Sequence, residues 1–264
     1  MRNVVHNKGI FSIEIAANFD LKNNNKTISP SYIRRICIDN DLKAYKIIKK
    51  PLITKKTSKK RLEFCRKYQD IDWQNVIFSD ECRIMCFATN HMPLIRRPRG
   101  SALDPRFISP TVKYPTSVMI WGCFRNDTLG PLKIISGTMN SEKYIGVLDE
   151  KLIPFYQSHA NSIFQDDSVP CHRSKKVNHW KNEKGIDCLE WPSCSPDLNP
   201  IEHIWAYLKK KVAKKAPYNQ RSLIEAILKV WRDEIPREYL LALSSSMKNR
   251  INECIINNGY NTKY

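Results

Sequence analysis

The stretch "WPSCSPDLNPIEHIW" (191–205) combines a rigid approach with an abrupt change of pattern. Prolines at 192, 196 and 200 each fix φ near −65° and remove a backbone donor, so the chain direction is set over several residues. Asn199 followed by Pro200 is a helix-start signal, and Ile201, Glu202 and Trp205 then read as the opening of a helix. The consequence is a carboxylate, Glu202, held in the first turn of a helix whose entry is rigid.

Upstream, the pattern alternates between strands and helices. "NVIFSDE" (75–81) reads as an apolar strand ending in acids, "CRIMCF" (82–87) as a second strand, and "SVMIWGCF" (117–124) as a third and central one. "LKIISG" (132–137) adds a strand. "NSEKYIGVLDEKLIPFY" (140–156) adds a helix with Ser141 as its cap. "SIFQDD" (162–167) is another strand ending in acids, "HRSKKVNHWKNEK" (172–184) a helix stopped by Gly185, and "DCLEWP" (187–192) a short strand. Residues 201–257 read as helical throughout. Antiparallel strands first, then strands alternating with helices, predict an α/β fold: a mixed sheet with helices on its faces.

Two strand ends therefore carry acids, Asp80 with Glu81 and Asp166 with Asp167, and Glu202 opens a helix. A carboxylate at a buried strand end is costly unless paired or bound to a cation. Three gathered together repel one another, and divalent cations relieve that repulsion. Oxygen ligands with open water positions suit Mg²⁺. Two such ions can activate water or a 3′-hydroxyl and stabilise the leaving oxygen at a phosphodiester.

The charge balance names the kind of substrate. Forty-four basic against 26 acidic side chains leave a net charge of +18. The excess clusters in "KAYKIIKKPLITKKTSKKR" (43–61) and "KKKVAKK" (209–215), which points to a polyanionic partner, DNA. Residues 8–45 read as a small all-α module. One helix carries Ile10, Ile13, Ile15, Ala16 and Phe19, and "NNNKT" (23–27) is a turn. The second helix has Ser29 as cap and Pro30 at its first position, with Ile33, Ile36 and Ile38 inward and Tyr32, Arg34 and Arg35 outward. That is the outline of a helix-turn-helix, whose second helix enters the major groove. The Lys-rich segment after it, with Lys49, Lys50, Lys55 and Lys56, reads as a linker that tracks phosphates. In "RRPRG" (96–100), three arginines in four positions resist burial, so Arg96, Arg97 and Arg99 read as contacts to the DNA backbone. Trp121, Trp191 and Trp205 read as core. His172 and His203 read as helix-start or packing residues, and Glu81 as a surface or supporting acid.

Nine cysteines in a long chain, without a small-domain framework or paired CxxC, read as reduced, buried thiols. No apolar run reaches the roughly 20 residues of a membrane span, and no signal-peptide cleavage site is evident, so an intracellular soluble protein is expected.

The segments "VIFSDE", "SVMIWGCF", "FQDDSVPCH", "WPSCSPDLNPIEHIW" and "GYNTKY", in that order, resemble the Tc branch of the mariner superfamily of DDE transposases. The resemblance implies a ribonuclease H-like catalytic domain over 75–264, preceded by a helix-turn-helix module over 1–48 and a basic linker and helix over 49–74. It implies a metal-binding Asp, Asp, Glu triad using Mg²⁺ or Mn²⁺, cut-and-paste transposition of DNA in the nucleus, and a homodimer acting on paired ends. By that resemblance Asp80 is the first acid and Glu202 the third. The second is Asp167, because Pro170 follows it by three residues and 34 residues separate it from Glu202, as is typical of the branch. Asp166 then takes the place of a glutamine, with its side chain expected on the opposite side of the strand. Members of the family usually carry two helix-turn-helix units, and residues 10–45 correspond to the second. The alternative reading is a DNA-binding protein without turnover, either a relic or a co-opted chromatin factor; a host ribonuclease H-like nuclease is a third option that the motif order disfavours.

Overall fold

In a computed structural model, residues 28–43, 50–86, 96–101, 103–108 and 116–264 are described. The first helix expected over residues 10–19, and Lys49, lie outside the described residues.

Val76–Met85 forms a single ten-residue strand, β1. The two strands expected on either side of Glu81 are one, because nothing between Glu81 and Cys82 breaks the ladder. Pairing with β2 (Ser117–Arg125) runs without interruption from Ile77↔Arg125 to Met85↔Ser117. β3 (Thr128–Ile135) returns from β2 as an antiparallel hairpin, with Asn126 in the left-handed region at φ 51°. β4 (Ile163–Gln165) lies parallel to β1 on its other side, giving the order β3-β2-β1-β4. β4 pairs only with Val76–Phe78 and stops there. Asp80 therefore sits within β1, two residues beyond the last one paired with β4, rather than at the end of its own strand. The short strand expected at 187–192 is reduced to one bridge, Phe164↔Cys188.

Alternation along β1 and β2 sends side chains to two cores. Phe78, Cys82, Ile84, Val118, Ile120 and Phe124 face α2 (Lys55–Lys67) and the C-terminal helices α6 (Ile201–Lys214), α7 (Gln220–Asp233), α8 (Arg237–Ser245) and α9 (Met247–Ile256). Ile77, Trp121 and Cys123 face α3 (Ser141–Val147), the π-helical turn Leu148–Leu152 and α5 (Lys175–Glu183), while α4 (Ile153–Gln157) packs at that core's margin. This is the mixed sheet with helices on both faces that the pattern predicts. The cap of α3 is Asn140, whose side chain accepts from Lys143 N, rather than Ser141, whose hydroxyl donates to Cys171 O. Gly185 ends α5 at φ 63°. All nine cysteines are free thiols, but not all are buried as expected: Cys194 is exposed and Cys37, Cys171 and Cys188 are half-buried, because they lie outside the two cores' centres.

The chain divides into Met1–Lys50 and Pro51–Tyr264. Within the first unit, α1 (Pro30–Asp39) starts as expected: Ser29 caps it by accepting from Tyr32 N at 3.1 Å, and Pro30 opens it. Ile33 is buried, but Ile38 is exposed rather than inward, because five residues along a helix rotate a side chain about 140° off the face of Ile33. In the second unit Lys55 and Lys56 lie in the first turn of α2, capped by Thr54, instead of in an extended linker. Phe64 and Cys65 tie that helix into the larger core.

The last residues close over α2. Gly259 adopts φ +80°, and a Cβ there would stand 1.9 Å from the Ser58 carbonyl oxygen. Beneath it, buried Arg61 makes two parallel bonds to buried Asp197, at 2.8 and 2.7 Å, and donates from Nε to Gly259 O at 2.8 Å. Gly259→Ala is therefore expected to cost about 4 kcal/mol or more, because backbone would have to move against backbone; urea denaturation measures it. Burial pushes the Asp197 carboxyl up, but Arg61 and Thr262 outweigh it and hold it below the ordinary aspartate value. Its contribution to stability is full above that ordinary value and is lost as pH falls through the lower folded one. The urea midpoint of wild type should therefore fall as the pH is lowered through that window.

Candidate active site

β1, the end of β4 and the start of α6 meet around an open cleft of about 360 Å³. Asp80, Asp167 and Glu202 all line it, together with Ser168, Trp191, Pro192 and Asn199. Three carboxylates from distant parts of the chain are thus brought to one place, as the sequence predicts.

Each is held differently. Asp80 shares a face of β1 with Phe78 and Cys82, the α6 side. Its Oδ2 accepts from Trp205 Nε1 at 3.1 Å. Trp205, three residues after Glu202 and so on the same side of α6, stacks on Trp231 with centroids 5.4 Å apart. Gly122, paired with Asp80 across the ladder, makes room for that stack: a Cβ there would lie 3.0 Å from both indoles. Trp205 is buried as expected for core, but it also positions Asp80. Glu202 stands in the first turn of α6. Asn199 begins that helix by accepting from Ile201 N at 3.3 Å, and its Nδ2 donates to Ser79 O at 3.3 Å, so the start of α6 is tied to the residue before Asp80. This is the helix start predicted from Asn199 and Pro200, with an anchor to β1 that local pattern does not reveal.

Asp167 follows β4 and caps its own turn by accepting from Val169 N at 3.2 Å. His172 Nδ1 lies 2.7 Å from Asp167 Oδ1 and its Nε2 lies 3.2 Å from Glu81 Oε1. Neither approach has hydrogen-bond geometry, so these contacts act through charge. The ring stacks on Tyr144 at 3.7 Å. Burial alone would lower the His172 pKa, but the two carboxylates raise it to about 10. His172 is thus the packing residue that was expected, not at a helix start, and also a cation between two acids. Glu81, on the opposite face of β1 from Asp80, is the supporting acid that was expected.

Asp166 does point away from the cleft. It is buried, accepts from Tyr144 Oη at 2.9 Å, lies 3.3 Å from Arg173 Nη2, and forms an ion pair with buried Lys181. Three partners on the α5 side offset its extra charge. They come from α3, α5 and the loop between β4 and α5, so no short-range spacing reveals them.

Electrostatics separate the three cleft acids. Burial, then Glu202 and Glu81, push the Asp80 carboxyl well above the ordinary value. Glu202 remains reachable by solvent, yet the cleft walls still desolvate it and push it up, against Lys209. Desolvation also acts on Asp167, but His172 outweighs it and holds that carboxyl low. Two acids resisting ionisation beside a third that is ionised form an all-oxygen donor set suited to a hard divalent cation. Among the described residues, no three His, Cys, Asp or Glu side chains close on a common point tightly enough to chelate an ion by themselves.

Residues 75–225 match a family described as DDE superfamily endonuclease, and residues 12–70 match a family described as Transposase. The Tcb1 transposase of Caenorhabditis briggsae is 37% identical over 82% of this chain and 81% of its own length. The Tcb2 transposase of the same organism is 35% identical over 91% and 90%, and the Tc1 transposase of Caenorhabditis elegans 33% over 88% and 87%. The fold matches the Mos1 mariner paired end complex with Mn at a TM-score of 0.75 and 14% identity, over 99% of this chain and 78% of that one. It also matches the Mos1 catalytic domain crystallised with Raltegravir and Mg at 0.61 and 16% identity, over 81% and 100%.

If Lys181 offsets the Asp166 charge, Lys181→Met should destabilise the chain by about 3 kcal/mol by leaving a buried carboxylate short of its closest cation. Asp166→Asn in the same background should recover much of that loss, as read by denaturant midpoints.

Proposed function

The chain belongs to the Tc branch of the mariner superfamily of DDE transposases and acts in cut-and-paste DNA transposition, and we propose that Asp80, Asp167 and Glu202 are its catalytic, metal-holding residues. The observation that carries this reading is their convergence on one solvent-open cleft from β1, the end of β4 and the start of α6. A bound Mg²⁺ or Mn²⁺, as a pair of ions, would supply Lewis acidity at the scissile phosphodiester and ease deprotonation of the attacking hydroxyl.

The chain's own groups supply the rest. Asp80 is held in line by Trp205, Asp167 by His172, and the turn that carries Glu202 by Asn199, so each acid is fixed on its own element. Water oxygen attacks phosphorus and the P–O3′ bond breaks, freeing a 3′-hydroxyl; that hydroxyl later attacks a target phosphodiester in the same cleft, whose own P–O3′ bond breaks and leaves a target 3′-hydroxyl. A cleft this open to solvent favours a polymeric substrate over an enclosed small molecule.

DNA would be gripped elsewhere by exposed cations. Tyr32, Arg34 and Arg35 project from α1, Lys55 and Lys56 from the first turn of α2, and Arg96, Arg97 and Arg99 from an exposed segment. Lys50 is exposed and belongs with them, as does Lys49, which lies outside the described residues. In this reading residues 1–48 recognise DNA, 49–74 connect, and 75–264 cut and join. The protein works in the nucleus as a homodimer holding two element ends, an arrangement supported by the fold shared with the Mos1 paired end complex.

Asp80→Asn, Asp167→Asn and Glu202→Gln should each lower Mn²⁺-dependent nicking of supercoiled plasmid by about 10²-fold or more while DNA retention persists. Nicking by Asp167→Asn equal to wild type would reject the assignment. Arg34→Ala with Arg35→Ala should weaken DNA binding and flatten its log–log salt dependence by about 0.9 for each phosphate no longer neutralised.

A further inference from the structure

Glu202 is held from behind as well as from the cleft. The 3₁₀ turn Pro196–Leu198 precedes α6, and three buried polar groups converge on it. Arg61 of α2 grips the Asp197 carboxylate with both guanidinium nitrogens and also donates to Cys194 O at 3.1 Å. Arg250 of α9 donates to Asp197 O at 2.7 Å. Thr262 donates to Asp197 Oδ2 twice, from its backbone N and from its hydroxyl, each at 3.0 Å. Asp197, Arg61, Arg250 and Thr262 are all buried.

Thr262 is brought there by the chain's last turn. Gly259, in a conformation and a space that exclude a side chain, lets the tail pass over α2, and Tyr264 lies under the Arg250 guanidinium at 4.3 Å. Asp197 is five residues from Glu202, and Asn199 between them is bonded to Ser79 beside Asp80. The linkage therefore runs from residues 259–264, through one carboxylate, to two of the cleft's three acids, Glu202 and Asp80.

We propose that Asp197, locked by Arg61 and by Thr262 of the C-terminal tail, is a positioning residue for Glu202. The last residues of the chain thereby complete the metal-holding geometry from outside the cleft. A buried ion pair is weak as a stabiliser, since desolvation offsets most of its attraction. What a fork-to-carboxylate pair, with Thr262 donating twice more to Oδ2, does supply is direction. Asp197 fixes the turn, the turn fixes the axis of α6, and Glu202 leaves that axis in its first turn. The inference rests on the reading of Asp80, Asp167 and Glu202 as metal-holding residues.

Asp197→Asn or Arg61→Met would leave a buried group unpaired and could prevent folding, so the test uses Thr262 in the full chain. Thr262→Val keeps the shape and removes the hydroxyl; Thr262→Ser keeps the hydroxyl. Amide hydrogen exchange of Ile201, Glu202 and His203, whose N–H groups are held by Asn199 and Pro200, should speed up in Thr262→Val relative to β1 and β2, and not in Thr262→Ser. Binding of Mn²⁺ alone, by calorimetry, should weaken about tenfold in Thr262→Val and be restored by Thr262→Ser. Plasmid nicking should fall in kcat with KM for DNA unchanged. Unchanged exchange at 201–203, or a uniform rise everywhere with Mn²⁺ affinity intact, would overturn the proposal. If exchange responds locally but wild type itself binds no Mn²⁺, the positioning of α6 stands and the metal-site reading falls.

Discussion

Carboxylates are costly to hold in a partly dry cleft, and that desolvation, to which Glu202 adds repulsion on Asp80, is the constraint around which the cleft is arranged. Asp80 is pushed up first by burial and then by Glu202 and Glu81. Left to flexible loops, the acids would separate or take up protons. Each is instead mounted on an element that cannot yield: a strand bonded to β2 along its length, a turn held beside a charged histidine, and a helix start pinned from two sides.

The sheet makes this mounting possible by ending unevenly. β4 pairs with only three residues of β1, so β1 continues as an uncovered edge where Asp80 and Glu81 lie. Alternation then divides the work. Asp80 turns toward α6 and finds Trp205; Glu81 turns toward α5 and finds His172. One pair of adjacent acids thus serves two layers, one facing the cleft and one steadying the neighbour that orients Asp167. Asp166 and Asp167 repeat the division, with Asp166 spent on Lys181, Arg173 and Tyr144 in the interior.

The features legible in the sequence are those written in local pattern. The cap at Ser29, the stop at Gly185, the alternation of strands with helices and the helix start at Asn199–Pro200 all appear where short-range rules put them. That acids from two strand ends and a helix start belong together was legible because acids punctuating apolar strands are rare without a reason; the choice of Asp80, Asp167 and Glu202 among them came from the resemblance to the DDE transposases. Other features required tertiary partners. Whether "DECR" turns or runs on depends on β2 opposite it, and whether 187–192 is a strand depends on β4 being too short to hold it. Ile38 fits an apolar alternation yet rotates off the buried face of α1. The His172 bridge joins residues that face each other only once β1 and β4 have paired. Lys181, seen in sequence, is one more cation in a basic helix; its burial against Asp166 is decided by the fold.

Arg61 and Asp197 take this furthest, since 136 positions separate them. Nothing near Arg61 in "KKTSKKRLEF" distinguishes it from the lysines around it, which face solvent and suit phosphate. Helical geometry does distinguish it: Ser58, Arg61 and Cys65 follow one another at spacings of three and four, so they share a stripe that faces inward. A guanidinium on that stripe must find a carboxylate or leave a buried charge unpaired, and Asp197 is the carboxylate that meets it. The pair joins the end of the basic segment, the approach to Glu202 and the C-terminal tail at one point. The rigid approach "WPSCSPDLNP" accordingly has two anchors, Asp197 to the body behind it and Asn199 to the strand in front. Pro196 and Pro200, on either side of them, limit how far α6 can swing, and the two anchors fix where it points.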